Sequence, residues 1–333
     1  MSEAPPAGPG HLAADQRAQA HQTLTRHLQA LAARHAEIGR VNGLAMNALH
    51  HGMHRLLAPD DRYRSQMAAV IEQRGDRTRP PDLVADRRAH RLGGDVMTDE
   101  RLLEHARHGL LSGPDPFQDP HLDIYAAPYA DHGTYLGGTG RPHHTEDVWA
   151  SRATGEMGWS FQIFPEPGTI VCSSAIWVDF MRITPGHPPG QGPAGTAQVR
   201  TYTPYEYLWN NQSDMAVARS SAHWGIYVLS WDLHGGPPAL EQDHIHPAPV
   251  WDDLTGWNWV HANPGWPSVT SDHAFPGYGP PVPTFPIRPE RLYSAAIWCW
   301  TTGDAIGQAQ PDLGSYALAA LWAQVRMIVI AQT

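Results

Sequence analysis

Apolar positions early in the chain recur every three or four residues. Leu24, Leu28, Leu31, His35, Ile38, Asn42, Ala45, Leu49, Met53 and Leu56 fall on one stripe, which predicts a long helix with a single buried face. The mean spacing of about 3.5 residues is that of a helix packed along another helix. Gly39 and Gly43 weaken its centre, and Pro59 ends it. A second helix is expected over about 65–73, with Met67, Val70 and Ile71 apolar. A polar, arginine-rich connection spans 74–97. A third, short helix fits 99–108, with Thr98 as cap and Gly109 as stop. The long helix carries few aromatics and has little to bury alone. It therefore needs another copy of itself or the rest of the chain.

From Trp159 the period changes to two. Trp159, Phe161 and Ile163 alternate with polar residues, and Ile170, Cys172, Ile176, Val178 and Phe180 share one strand face. One strand is expected from Val199 to Trp209, and others at Trp224–Val228 and Tyr293–Cys299. The last, from Ala317 to Val329, alternates throughout. Six or more strands with Gly/Pro turns and no helices between them predict an antiparallel β-sandwich of jelly-roll type. The expected class is α+β: a helical arm over 1–110, an irregular connector over 111–155 and the sandwich over 156–333.

Composition sharpens this division. All 13 Trp lie between Trp149 and Trp322. Residues 1–120 balance 15 Arg against 15 acidic residues, whereas 121–333 set 8 Arg against 18, so the net charge of −10 resides in the strand part. Such a surface argues against nucleic acid as partner. The chain has no lysine. This excludes a GxxxxGK[ST] phosphate loop, a kinase strand lysine, an SxxK serine site and a Schiff-base cofactor site. No apolar run reaches the 18 residues of a membrane span. The N-terminal residues lack the pattern of a cleaved secretory signal, so the expected location is the cytoplasm, or export by another route. Cys172 and Cys299 read as two buried thiols, with one long-range disulfide as the alternative.

Candidate chemistry is sparse. With 21 His, neighbouring pairs arise near chance. The best candidate for a divalent metal is Asp243-His244-Ile245-His246, because His-x-His on a strand puts both imidazoles on one face. Glu241, His261 or His273 would supply a third ligand, although Pro247 and Pro249 make the segment read as loop. His143 and His144, followed by Glu146 and Asp147, form a second candidate for metal or acid–base work. His50 and His54 share a helix face with Met46 and Met53, as packing residues do. No GxSxG elbow is present. The segment 237–283 gathers Trp251, Asp252, Asp253, Trp257, Trp259 and Trp266 among prolines and glycines. Flat rings beside carboxylates suit a sugar or a partner's pockets, although the same tryptophans suit still better a long loop folded back over one sheet.

Three functional readings result. The preferred one is a non-enzymatic structural or binding protein, without a required cofactor. Its sandwich loops meet a protein partner or a carbohydrate, and its N-terminal helix mediates assembly with a partner or a second copy. The second is a metal-dependent hydrolase or glycan-active enzyme built on the His clusters. The third, prompted by the missing lysine, is an exported or injected effector or a particle component.

Overall fold

β-Branched and aromatic residues recur at alternate positions through much of the chain from residue 156 onward, and the described residues there are mostly strand. The structure is a computed structural model. It describes residues 11–57, 59–62, 65, 121–139, 145–163, 168–184, 186–188, 191–213, 217–234, 236–247, 249–256, 259–262, 268–269, 282–306 and 316–333. Helix α1 runs Ala14–Leu57. The strands are β1 His121–Tyr125, β2 Asp131–Thr139, β3 Thr145–Ala150, β4 Glu156–Ile163, β5 Gly168–Met181, β6 Gly195–Tyr202, β7 Tyr205–Ser213, β8 Val217–Asp232, β9 Ala239–Ile245, β10 Trp251–Gly256, β11 Trp259–Ala262, β12 Ser268–Val269, β13 Phe285–Ile287, β14 Arg291–Ile306, β15 Tyr316–Gln324 and β16 Met327–Gln332.

These strands form three open antiparallel sheets, consistent with a β-sandwich. Sheet A has the order β1-β16-β6-β13 and sheet B the order β10-β8-β14-β5-β2; sheet C has the order β11-β7-β15-β4-β3. Strand β9 shares the β8 edge with β10, and β12 shares the β7 edge with β11. The interior cluster joins all three sheets: Ile176, Trp224, Ile226 and Ile297 from B, Trp159, Phe161 and Leu321 from C, and Ile328 and Ile330 from A.

Sheet B is buried on both faces, which is why β5, β8 and β14 read as near-continuous apolar runs. Its inward positions enter the interior cluster. Its outward positions, Trp177, Tyr227, Leu229, Trp231, Trp298 and Trp300, pack beneath the start of α1, against Leu12, Ala20, Leu24 and Leu28. Gly133 on β2 leaves the room in which the His21 imidazole of α1 sits; a Cβ there would stand 2.9 Å from that ring.

The strand count differs from expectation in four places. Residues 121–150, expected as irregular connector, contain β1, β2 and β3. The strand expected over 199–209 is two, β6 and β7, parted at Thr203-Pro204. The strand expected over 317–329 is also two, β15 and β16, parted at Val325-Arg326. Both breaks fall at one corner, where the paired strands leave sheet C for sheet A together. Gln324 N donates to Pro204 O at 3.0 Å and Arg326 N to Tyr202 O at 3.0 Å, and the Tyr129 hydroxyl and Gly155 O both hold Val325. The fourth difference is the segment 237–283. It supplies strands β9, β10, β11 and β12, the edges of sheets B and C. The helices expected at 65–73 and 99–108, and the connection at 74–97, lie outside the described residues apart from Ser65.

Both cysteines are buried and neither forms a disulfide, so the two-thiol reading holds and the disulfide does not.

Candidate functional site

The expected contact residues part company once β10 is laid along β8. Trp251 pairs with Ala222, so it faces inward. It stacks on Tyr207 at 5.4 Å and 14°, meets Trp159 at 5.7 Å, and donates from Nε1 to Ser220 Oγ at 3.1 Å. Trp251 is thus a core residue linking sheets B and C. Asp253 also points inward and accepts from Asn211 Nδ2 of sheet C at 2.7 Å. Asp252 alone of these three faces outward, where Arg219 grips both its oxygens at 3.0 and 3.1 Å. Trp259 opens β11 on the sheet C edge, and Trp257 and Trp266 lie outside the described residues.

The histidine pair at the end of β9 does share a face. His244 pairs with Ile226 on the inward side, and His246 just beyond is buried, its ring stacked on Trp224 at 4.8 Å and 24°. The segment is strand, not loop, up to Ile245. Burial, reinforced by the neighbouring His246, holds the His244 imidazole below its ordinary pKa, which favours the neutral form. Asp243 turns to the opposite face, toward His27 Nδ1 of α1 at 3.6 Å. Among the described residues no three His, Cys, Asp or Glu side chains converge as a metal site would require. His143 and His144 lie outside the described residues.

Two features escape sequence reading. The first is how α1 is held. Leu12 N and Arg17 NH2 both bind the buried Asp179 carboxylate, at 3.1 and 2.9 Å. His21 Nε2 contacts Asp131 Oδ2 at 2.8 Å, and Trp231 Nε1 donates to Gln19 Oε1 at 3.2 Å. Burial alone would raise the Asp131 carboxyl. The hydrogen bonds from His21 and the His132 backbone, with the charges of His21 and Arg17, hold it below the usual range. This clamp reaches from residue 12 to residue 31, and the same stripe then runs on uncovered. Leu24 and Leu28 are 5% and 2% exposed, whereas Leu49 and Leu56 are 57% and 80% exposed, with Ile38 and Val41 also on the surface.

The second is Asp304, on the outward face of sheet B in register with Thr169 and Arg219. Burial pushes its carboxyl up to about 6, against the opposing help of Thr169 and Arg219. Arg219 therefore grips an exposed acid, Asp252, while its charge acts on a buried one, Asp304, beside it in register. Nothing in the alternation of β14 marks position 304, because Trp298, Trp300, Thr302 and Asp304 simply succeed one another on the outward side.

Among the described residues no helix is long and apolar enough to cross a membrane. No known protein family matches the chain, and no curated protein matches it in sequence. Among solved structures, TmCBM61 in complex with β-1,4-galactotriose aligns at 12% identity with a TM-score of 0.13, covering 59% of this chain and 86% of that one. The Gx and Gt strains of infectious bursal disease virus each align at 10% identity, with TM-scores of 0.12 and 0.11. They cover 66% of this chain and 44% and 45% of theirs. Likeness this weak carries no argument about function.

Proposed function

We propose that this chain is a non-enzymatic structural and binding protein. A jelly-roll-like sandwich meets a protein or glycan partner, and the free half of α1 joins the chain to a second copy. One observation carries this reading: a single apolar stripe is buried on sheet B at its start and exposed at Ile38, Ala45, Leu49 and Leu56. At 1.5 Å per residue, the covered part up to Leu31 is about 27 Å long and the uncovered part about 39 Å. In proteins most helical stability comes from packing an apolar face, which this uncovered part lacks among the described residues of its own chain. The clamp at Asp179 and Asp131 fixes the direction in which this half is presented.

The spacing argues for a second copy as the occupant. Steps of four and three residues, alternating up to Leu49, suit the seam of a supercoiled helix pair, not a flat sheet. α1 is the long helix among the described residues, so the matching seam is that of another α1. Asn42, a polar residue within the stripe, is of the kind that fixes register and copy number in such seams.

Light scattering coupled to size exclusion, on the full chain at micromolar concentration, tests this. The wild type should run as an oligomer. Leu49→Arg with Leu56→Arg should yield a monomer with an unchanged melting temperature, because both side chains lie beyond the docked half. A monomeric wild type would overturn the assembly reading.

A further inference from the structure

Trp149, Gly158, Trp322, Glu206 and Ser268 form one cross-strand row over β3, β4, β15, β7 and β12. The row lies on the outward face of sheet C, since its neighbours along the strands, Trp159, Leu321 and Tyr207, point into the core. Gly158 is the seat of the arrangement. A Cβ there would collide with Cζ2 and Cε2 of Trp149, so the indole lies where a side chain would otherwise stand, across the sheet. Trp322 meets it edge-on, centroids 6.3 Å apart at 82°. The two half-buried rings make a floor and a wall.

Beside this corner stand two buried polar atoms. Glu206 is 7% exposed, yet its Oε2 has no hydrogen-bond partner among the described residues, and Trp322 Nε1 has none either. A buried donor or acceptor left unpaired is costly. Here one of each sits on directly opposed residues, next to flat aromatic surface.

We propose that this row binds the pyranose rings of a neutral oligosaccharide. A sugar ring offers an apolar C–H face to Trp149, while the hydroxyls at its rim both donate and accept. One hydroxyl donates to Glu206 Oε2 and another accepts from Trp322 Nε1. An apolar ligand would leave both atoms unpaired. An anion would face Glu206, and a cation would leave the indole N–H unused. From Trp149 to Glu206 the row crosses three strand gaps, about 14 Å, which exceeds one ring and favours an oligomer. This names the ligand class for the binding half of the function proposed above and uses no residue of the arm.

Calorimetric titration of the full chain with neutral β-1,4-linked glucotriose, xylotriose and galactotriose, each to millimolar concentration, tests it. At least one should bind saturably. Trp149→Ala should abolish that binding. Trp322→Phe, which keeps a ring and deletes the donor, and Glu206→Gln should each weaken it about tenfold or more with the melting temperature retained. No saturable binding to any of the three, or wild-type affinity in Trp322→Phe and Glu206→Gln, would overturn the proposal. Light scattering on the same samples reads the arm separately, so an oligomer that binds no sugar would remove this site and leave the assembly reading standing.

Discussion

Replacing Asp304 by Asn should stabilise the protein at neutral pH and do nothing of the kind in acid. The carboxyl is buried in register with Thr169 and Arg219, and burial pushes it from 3.8 up to about 6. An acid whose pKa is higher folded than unfolded binds its proton more tightly in the folded chain. Its contribution to stability is complete below about pH 4 and is lost as pH rises through 6. The two values correspond to about 3 kcal/mol lost by pH 8. Asn keeps the shape and cannot ionise, so it avoids that loss. It weakens the hydrogen bond from Thr169, worth about 1 kcal/mol. The expected balance is a variant about 2 kcal/mol more stable than wild type at pH 8, and equal or slightly less stable at pH 4. Urea unfolding followed by tryptophan fluorescence at steps between these pH values measures the difference directly. A difference that stays constant from pH 4 to pH 8 would refute the reasoning, because packing changes carry no such pH dependence.

Four further outcomes follow from the same geometry. Leu28→Ala, at the centre of the helix–sheet contact, should cost about 2–4 kcal/mol in urea unfolding. Asp179→Ala breaks a buried pair and orphans Leu12 N, worth about 3 kcal/mol to the docked helix. Because the chain is lysine-free, trypsin cuts it only after arginine, and mass spectrometry should show faster cleavage at Arg17 and Arg26 in that variant. Trp251→Ala should destabilise by about 3–5 kcal/mol, as expected for a residue bridging two sheets, whereas a surface contact residue would leave the melting temperature unmoved. Cys299, its thiol pushed up to about 11 by burial, and the buried Cys172 should both resist a thiol reagent in the native protein. Each should react once the chain is unfolded.

Periodicity made the sandwich legible, and its failures have physical causes. The alternation over 199–209 keeps its phase through the corner, with Val199 and Tyr207 both on the core, whereas over 317–329 it slips by one residue: Ala323 and Val325, then Ile328 and Ile330, face the core, and Met327 and Val329, expected on that side, pack on the opposite face with Tyr202. Only Pro204, which cannot donate to a ladder, hinted at one break, and nothing at Val325-Arg326 announced the other. The prolines around His244 and Trp251 suggested a loop, yet they flank edge strands, where a missing N–H is tolerated. The candidate site was less legible still. Trp251 and Asp253 share a segment with Asp252 but point the other way, because adjacent strand residues face opposite sides. Trp149, Trp322 and Glu206 are 57 to 173 residues apart in sequence, and only strand pairing sets them in one row.

The charge split reads differently once the helix is seated. The strand part carries 18 acidic residues against 8 Arg, which suggested an acidic surface turned to solvent. Three of those acids, Asp131, Asp179 and Asp243, instead face α1 and receive Arg17, His21 and His27. The side chain of Asp179 is wholly buried. The more exposed pairs, at His21 and His27, contribute little to stability singly, but with the buried Asp179 they are spaced along one helix over one sheet, and that spacing selects a direction. Reversing the helix would keep an apolar contact with the tryptophans and lose every pair. The acidic excess thus orients the arm.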